Sequence, residues 1–294
     1  MNTPLPIASF RLLAAAAITI PNLITGCASA DKPWNPSFPV TVAQAKEAIR
    51  EMQANPRPFS RPVVVCAGIF DPGPGVSYTA NLLRSMTPDR SQVIEVAFWT
   101  TPSFDECRAR VIEKLESKWP STDERRTVDV DVIGVSMGGL VSRYAATPVD
   151  GAKRVAIKRL FTLGSPHHGA AWWDVATWDQ RARSMRPGSP FMRRLDEAYA
   201  DPDPNGGGGY EVVAYVRLGD MIVGESNAVA PFPEPGSGRV WWVANRPSEF
   251  AHMQAFSEPR FLADIARRLR GEEPLTREPP QPLPSGAQPS IALR

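Results

Sequence analysis

The sequence predicts an α/β protein in which a mostly parallel sheet carries helices on both faces, and three observations lead there. Between Pro62 and Gly271, short apolar β-branched runs alternate with amphipathic helical stretches, the pattern of a parallel sheet covered on both sides. The 294 residues are 43% apolar with Lys+Arg 33 against Asp+Glu 31, which supplies a buried core and lacks the basic surplus of a nucleic-acid binder. The 31 prolines gather at the ends: three before Cys27, six between Asp31 and Pro62, six after Gly271, and 16 in the 208 residues between. One compact domain therefore lies between proline-rich flanks.

At the N terminus, Arg11 precedes the uncharged run Leu12 to Ile20. This is the charged start and short apolar stretch of a secretory signal peptide, too short for a transmembrane helix. The following Ile24-Thr25-Gly26-Cys27 resembles the lipobox of bacterial lipoproteins, whose cysteine thiol receives a diacylglycerol before cleavage. That resemblance implies a signal peptide over 1–26, a lipidated Cys27 holding the protein to a membrane of the bacterial cell envelope, and a proline-rich tether with a short helix over 27–61. Cleavage after Ala28-Ser29-Ala30 is the alternative, and either route exports the chain. Cys66 and Cys107 are then an even pair in an oxidising compartment, as a disulfide or as two buried thiols.

The short helix is expected from Thr41 to Met52, where Val42, Ala45, Ile49 and Met52 recur at helical spacing behind a threonine cap. Strands are then predicted at Val63 to Cys66, Val93 to Phe98, Val128 to Ile133, Ile157 to Leu163, Val212 to Val216 and Val240 to Val243. Helices are predicted at Tyr78 to Met86, Phe104 to Lys118, Met137 to Ala146 and Arg260 to Leu269. Residues 272–294 read as a disordered, proline-rich tail.

The chemistry is carried by VDVDVIGVSMGGLVSRY, Val128 to Tyr144, in which a strand runs into Gly134-Val135-Ser136-Met137-Gly138 and on into a helix. A serine at such a turn is pushed out of the fold, side chains two residues either side of it would collide, and the helix N-terminus beside it favours developing negative charge. Serine needs a base to take its proton, and on this architecture the order along the chain is serine, acid, histidine. Of the three histidines only His252 follows the last strand, so it is the candidate base. Asp220, just past the strand at Val212 to Val216, is the candidate acid and Glu225 the reserve. The oxyanion donors are expected to be the backbone N–H groups of Met137 and of Ile69, the latter after Gly68 in the loop that follows the first strand.

With VVVCAGIF, GVSMGGLVSRYAA, LFTLGSPHHGA, MRPGSPFMRRL, LGDMIV and FAHMQAF, the segment from about Pro62 to Gly271 resembles the α/β-hydrolase superfamily, and within it bacterial lipases and esterases. The resemblance implies Ser136 as nucleophile, Asp220 as acid, His252 as base, and Ile69 and Met137 as oxyanion donors. Two departures loosen the tie to true lipases: Ala67-Gly68 stands where the family usually has His-Gly, and Val135 where it often has histidine. On this fold a helical cap is expected over about 170–210, with Trp172, Trp173 and Trp178 in a first helix, a second helix from Ser189-Pro190, and a flexible linker at Asp201 to Gly209. Trp172, Trp173, His167 and His168 are candidate pocket-lining residues, the adjacent histidines also fitting a structural role. The expectation is a cofactor-free, metal-free serine hydrolase of carboxylic esters with an ester or lipid substrate, a membrane contact through Cys27, and no nucleic-acid or obligate protein partner. Thioester cleavage or acyl transfer through the same residues, or a silent binding protein, are the alternatives.

Overall fold

The computed structural model describes residues 35–149, 151–170, 178–200, 209–230, 240–245 and 250–284. The signal segment with Cys27, the first cap helix with Trp172 and Trp173, and the linker at 201–208 lie outside the described residues.

Six strands build one sheet: β1 (Val63–Cys66), β2 (Val93–Val96), β3 (Arg126–Val135), β4 (Arg154–Leu163), β5 (Glu211–Arg217) and β6 (Val240–Val243), in the order β2-β1-β3-β4-β5-β6. Every neighbouring pair is parallel. β1 and β6 are buried at every position, because a parallel strand with helices on both faces has no wet side. From β1 the chain passes to β2 on one side and to β3 on the other, so the strand order reverses between β1 and β3. The loops leaving the carboxyl ends of these two strands flank a crevice, the place where open α/β sheets hold their ligands.

The helices between strands are α2 (Pro74–Arg84), α3 (Phe104–Lys118), α4 (Met137–Ala146), α5 (Gln180–Ser184) and α6 (Pro190–Ala200); α1 (Val42–Ala54) precedes the sheet, and the short α7 (Ala251–Gln254) and α8 (Pro259–Leu269) follow it. α1 has the expected face, with Ala45, Ile49 and Met52 buried, and Thr41 and Gln44 cap it reciprocally. α2 begins four residues before its predicted start. Asp71 accepts the N–H groups of Gly73 at 2.8 Å, Gly75 at 3.1 Å and Val76 at 2.6 Å, satisfying the orphan donors of a first turn that Pro74 opens. α6 starts as predicted, with Ser189 Oγ accepting the Met192 N–H at 3.1 Å.

The flanks depart from expectation. Residues 35–61 are not a tether and 272–284 are not a disordered tail; both pack on the domain. Phe38 is buried against Tyr215 and Phe261, and Asn35 Nδ2 donates to the Trp242 carbonyl at 3.0 Å. The buried Asp264 carboxylate accepts the N–H groups of Leu275 at 2.6 Å and Thr276 at 2.9 Å. Ser37 Oγ donates to Pro279 O at 2.6 Å, and the Trp242 indole to Pro282 O at 3.0 Å. The physical reason is that proline removes donors and keeps carbonyls: Ser37 and Trp242 donate to the carbonyls of Pro279 and Pro282, while the non-proline N–H groups of Leu275 and Thr276 find the Asp264 carboxylate of α8. Among the described residues no helix is long and apolar enough to cross a membrane. Cys66 and Cys107 are buried free thiols, so the disulfide alternative does not hold.

Candidate active site

Ser136 stands between β3 and α4 with φ 51° and ψ −123°, the one described residue other than glycine at positive φ. Such a conformation costs on the order of 1–3 kcal/mol and persists only where the surroundings enforce it. Glycines do so here. A Cβ on Gly134 would come within 2.5 Å of the Gly139 Cα, one on Gly138 within 2.7 Å of the Ala67 carbonyl oxygen, and one on Gly139 within 2.7 Å of the Ser165 Cβ. α4 can therefore start only by pressing bare backbone against β1, β3 and the loop after β4. The Ser136 N–H extends the ladder to Leu163 O at 2.9 Å, and the side chain emerges at the carboxyl edge of the sheet.

There the structure brings together the three side chains expected from the sequence. His252, in α7, has Nε2 3.0 Å from Ser136 Oγ and Nδ1 2.8 Å from Asp220 Oδ2. Asp220, in the turn after β5, is buried, and its other oxygen accepts the N–H groups of Ile222 at 3.0 Å and Val223 at 2.9 Å. With Nδ1–H donating to Asp220, Nε2 is left as the acceptor of the Ser136 hydroxyl proton. Glu225 does not compete: its carboxylate accepts the Gly219 N–H and holds the turn. Gly164, at φ 59°, passes beneath the pair, where a Cβ would stand 3.3 Å from Asp220 Oδ2 and 3.5 Å from His252 Nδ1.

The loop after β1 reaches the serine from the other side of the crevice. Gly68 is so close that a Cβ on it would stand 3.4 Å from the Ser136 Cβ. Ile69 is next in this loop, and Met137 is the first residue of α4, directly after Ser136.

His167 is corrected as a pocket-lining residue. It is fully buried, with Nε2 3.0 Å from Thr162 Oγ1. Burial is the main reason its pKa lies well below the ordinary histidine value, with the nearby Arg143 and His168 acting the same way. Thr162 and Ser165 are the side chains that a Cβ on Gly139 would strike, so the histidine braces the floor under α4. His168 is exposed and holds Asn227 O through its backbone N–H at 3.0 Å.

What the sequence left unread is the setting of the mouth. Phe70, Trp99, Trp178, Met221, Phe250 and Met253 are all exposed, Trp178 at 73%, Phe250 at 79% and Met221 at 85%. Phe70 follows Ile69, Met221 follows Asp220, and Phe250 and Met253 bracket His252. Trp178 stacks on Phe70, ring centroids 6.1 Å apart. Each apolar residue is unremarkable alone; the parallel topology gathers them at one edge. Of the expected cap, α5 is tied down by Arg181, which donates to Phe98 O at 2.8 Å. α6 rests on α3 and α4 through Phe191, stacked on Phe104 at 4.0 Å and edge-on to Tyr144. The fully buried Arg143 of α4 donates to Leu195 O at 3.0 Å and Asp196 Oδ1 at 2.9 Å.

Comparison with known proteins follows this geometry. The model of the PGAP1-like alpha/beta domain matches residues 106–182, which run from α3 through Ser136 into α5. Among solved structures, lipase B of Aspergillus fumigatus superposes with a TM-score of 0.50 at 14% identity, covering 73% of this chain and 53% of that one. Lipase BlEst2 of Bacillus licheniformis in its mature form gives 0.49 at 18% identity, with 76% and 94% covered. Phospholipase PlaB of Legionella pneumophila gives 0.42 at 14%, and the chain spans only 40% of its length. No curated protein matches the chain in sequence. At these identities the likeness is one of fold.

Proposed function

The chain has the α/β-hydrolase fold, as the lipases it resembles do, and from that premise we propose that it is a serine hydrolase of carboxylic esters acting through an acyl-enzyme on Ser136. The observation that carries the reading is the unbroken path of hydrogen bonds from Ser136 Oγ through the His252 ring, at 3.0 Å and 2.8 Å, to Asp220. Three separate strand ends contribute its members, so chance local packing is a poor explanation.

In the first half-reaction His252 Nε2 takes the hydroxyl proton as Ser136 Oγ bonds to the acyl carbon, and the negative charge passes to the carbonyl oxygen. The Asp220 carboxylate holds the ring and offsets the imidazolium charge. The N–H groups of Met137 and Ile69 receive the oxyanion, whose stabilisation is worth about 3–4 kcal/mol per donor in such sites. Collapse of the intermediate breaks the ester C–O bond, and the alcohol leaves with the proton from His252. Water, deprotonated by the same nitrogen, then attacks the acyl carbon; the acid departs and Ser136 regains its proton. The apolar rim supports an acyl or lipid ester as substrate, since large exposed apolar patches mark apolar partners. The lipobox-like Ile24 to Cys27 segment supports an exported protein anchored to the cell envelope by a lipid on Cys27.

A fluorophosphonate probe tests the reaction. Wild type is expected to label and Ser136→Ala to remain unlabelled, while His252→Ala loses turnover of p-nitrophenyl esters by about 10⁴-fold or more. Folded wild type that fails to react, or equal labelling of Ser136→Ala, rejects this reading.

A further inference from the structure

We infer that Arg217 is a positioning residue that holds the His252 segment in register with Asp220; the inference rests on the ester-hydrolase reading. Arg217 is the last residue of β5, three before Asp220, and its side chain is 6% exposed. Its guanidinium Nη2 donates to Asn245 Oδ1 at 2.7 Å, and Nη1 donates to Gln254 Oε1 at 3.0 Å. Asn245 lies two residues past β6, and Gln254 two residues past His252. One rigid fork therefore grips the segment that carries the base at both of its ends, and fastens it to the strand that carries the acid.

The segment needs such a hold. α7 is a single turn of four residues, too short to be stable by its own hydrogen bonds. Arg217 is itself fixed from behind: Glu258 Oε2 lies 3.3 Å from Nη1, and Glu258 also takes Arg260 Nε at 2.7 Å and Nη2 at 3.1 Å at the start of α8. A buried cation is tolerated because this carboxylate matches it. The planar guanidinium reaches two amides and a carboxylate at once; an ammonium is a point charge with no such fork.

That difference supplies the test. Arg217→Met is expected to lower kcat on p-nitrophenyl butyrate by about ten- to a hundred-fold, the size expected of an ångström-scale misplacement, with KM nearly unchanged. Arg217→Lys keeps the ion pair with Glu258, so it should recover stability without recovering kcat. A role in stability alone predicts instead that both return together. Should Arg217→Met fail to fold, Asn245→Ala/Gln254→Ala leaves the ion pair intact and is expected to show the same loss of kcat. In wild type the Nδ1–H proton of His252 should appear as a downfield resonance in the proton spectrum, and it should broaden or vanish in these variants. Unchanged kcat per folded molecule, full rescue by Arg217→Lys, or an unaltered downfield proton overturns the inference. If wild type turns over no ester, the hydrolase reading fails, and the resonance alone then decides the role of Arg217.

Discussion

At Ser136 the backbone is held where only glycine is normally comfortable, and the atoms responsible are missing ones. Gly134, Gly138 and Gly139 leave room for α4 to touch β1 and the loop after β4, and the strain exposes a hydroxyl. His167 belongs to this support and has a measurable signature. Its folded pKa lies well below the ordinary value, which is about 6.5 in an unfolded chain. Above that value neither state carries the proton and nothing is lost. As pH falls below it the unfolded chain binds a proton the folded one refuses, so stability declines by up to about 1.4 kcal/mol per pH unit. His167→Gln, which retains a hydrogen-bonding side chain, should flatten the fall in urea-unfolding free energy between pH 6.5 and 5 by the share His167 carries. An identical slope in wild type and variant would reject this account.

At the scale of elements, Asp264 of α8 joins three pieces. Its carboxylate accepts the Tyr215 hydroxyl of β5 at 2.6 Å, the Arg268 Nε at 2.9 Å, and the two backbone N–H groups of the C-terminal flank. Burial and the adjacent carboxylate hold the Tyr215 phenol well above its usual pKa. Removing one member of a buried charge pair leaves the other uncompensated, so Asp264→Ala should cost about 3–5 kcal/mol in urea unfolding; a loss below 1 kcal/mol would mean that this junction is not structural. Such long-range junctions explain what the sequence could and could not disclose. β1, β6, α3 and α4 stand at their predicted bounds because apolar runs and caps are local signals. β3 and β4 outrun theirs, since Arg126 and Arg154 continue the pairing past the apolar stretch. The early start of α2 was hidden because the carboxylate that satisfies its first turn, Asp71, stands three residues before it, in a Pro-Gly-Pro setting that reads as loop. Ser136 and His252 were legible from the motif and the chain order. Arg217 was not, because only the fold brings residues 217, 245, 254 and 258 together.

For the whole molecule, the proline-rich flanks have two roles. Their inner parts pack on the domain: Asn35 and Gln281-Pro282 meet Trp242 of the edge strand β6, while Phe38, Leu275 and Thr276 pack against β5 and α8. The outer N-terminal part bears Cys27 and the proposed anchor. Cells fed radioactive palmitate should yield labelled wild type in the membrane fraction and unlabelled Cys27→Ala; a variant still labelled and membrane-bound would exclude Cys27 as the acceptor. An anchored enzyme with an apolar rim is also expected to meet its esters where they collect, at a lipid surface.

The burial of the other two cysteines has a practical consequence for that question. Burial pushes the Cys66 thiol up to about 12 and raises Cys107 as well, the latter held 3.1 Å from Thr101 Oγ1. Neither forms the reactive thiolate near neutral pH, and neither meets solvent. With three cysteines in the chain, maleimide labelling of the folded, unlipidated chain is expected to report on Cys27. On the proposed lipidation of Cys27, maturation is expected to abolish labelling by this one reagent.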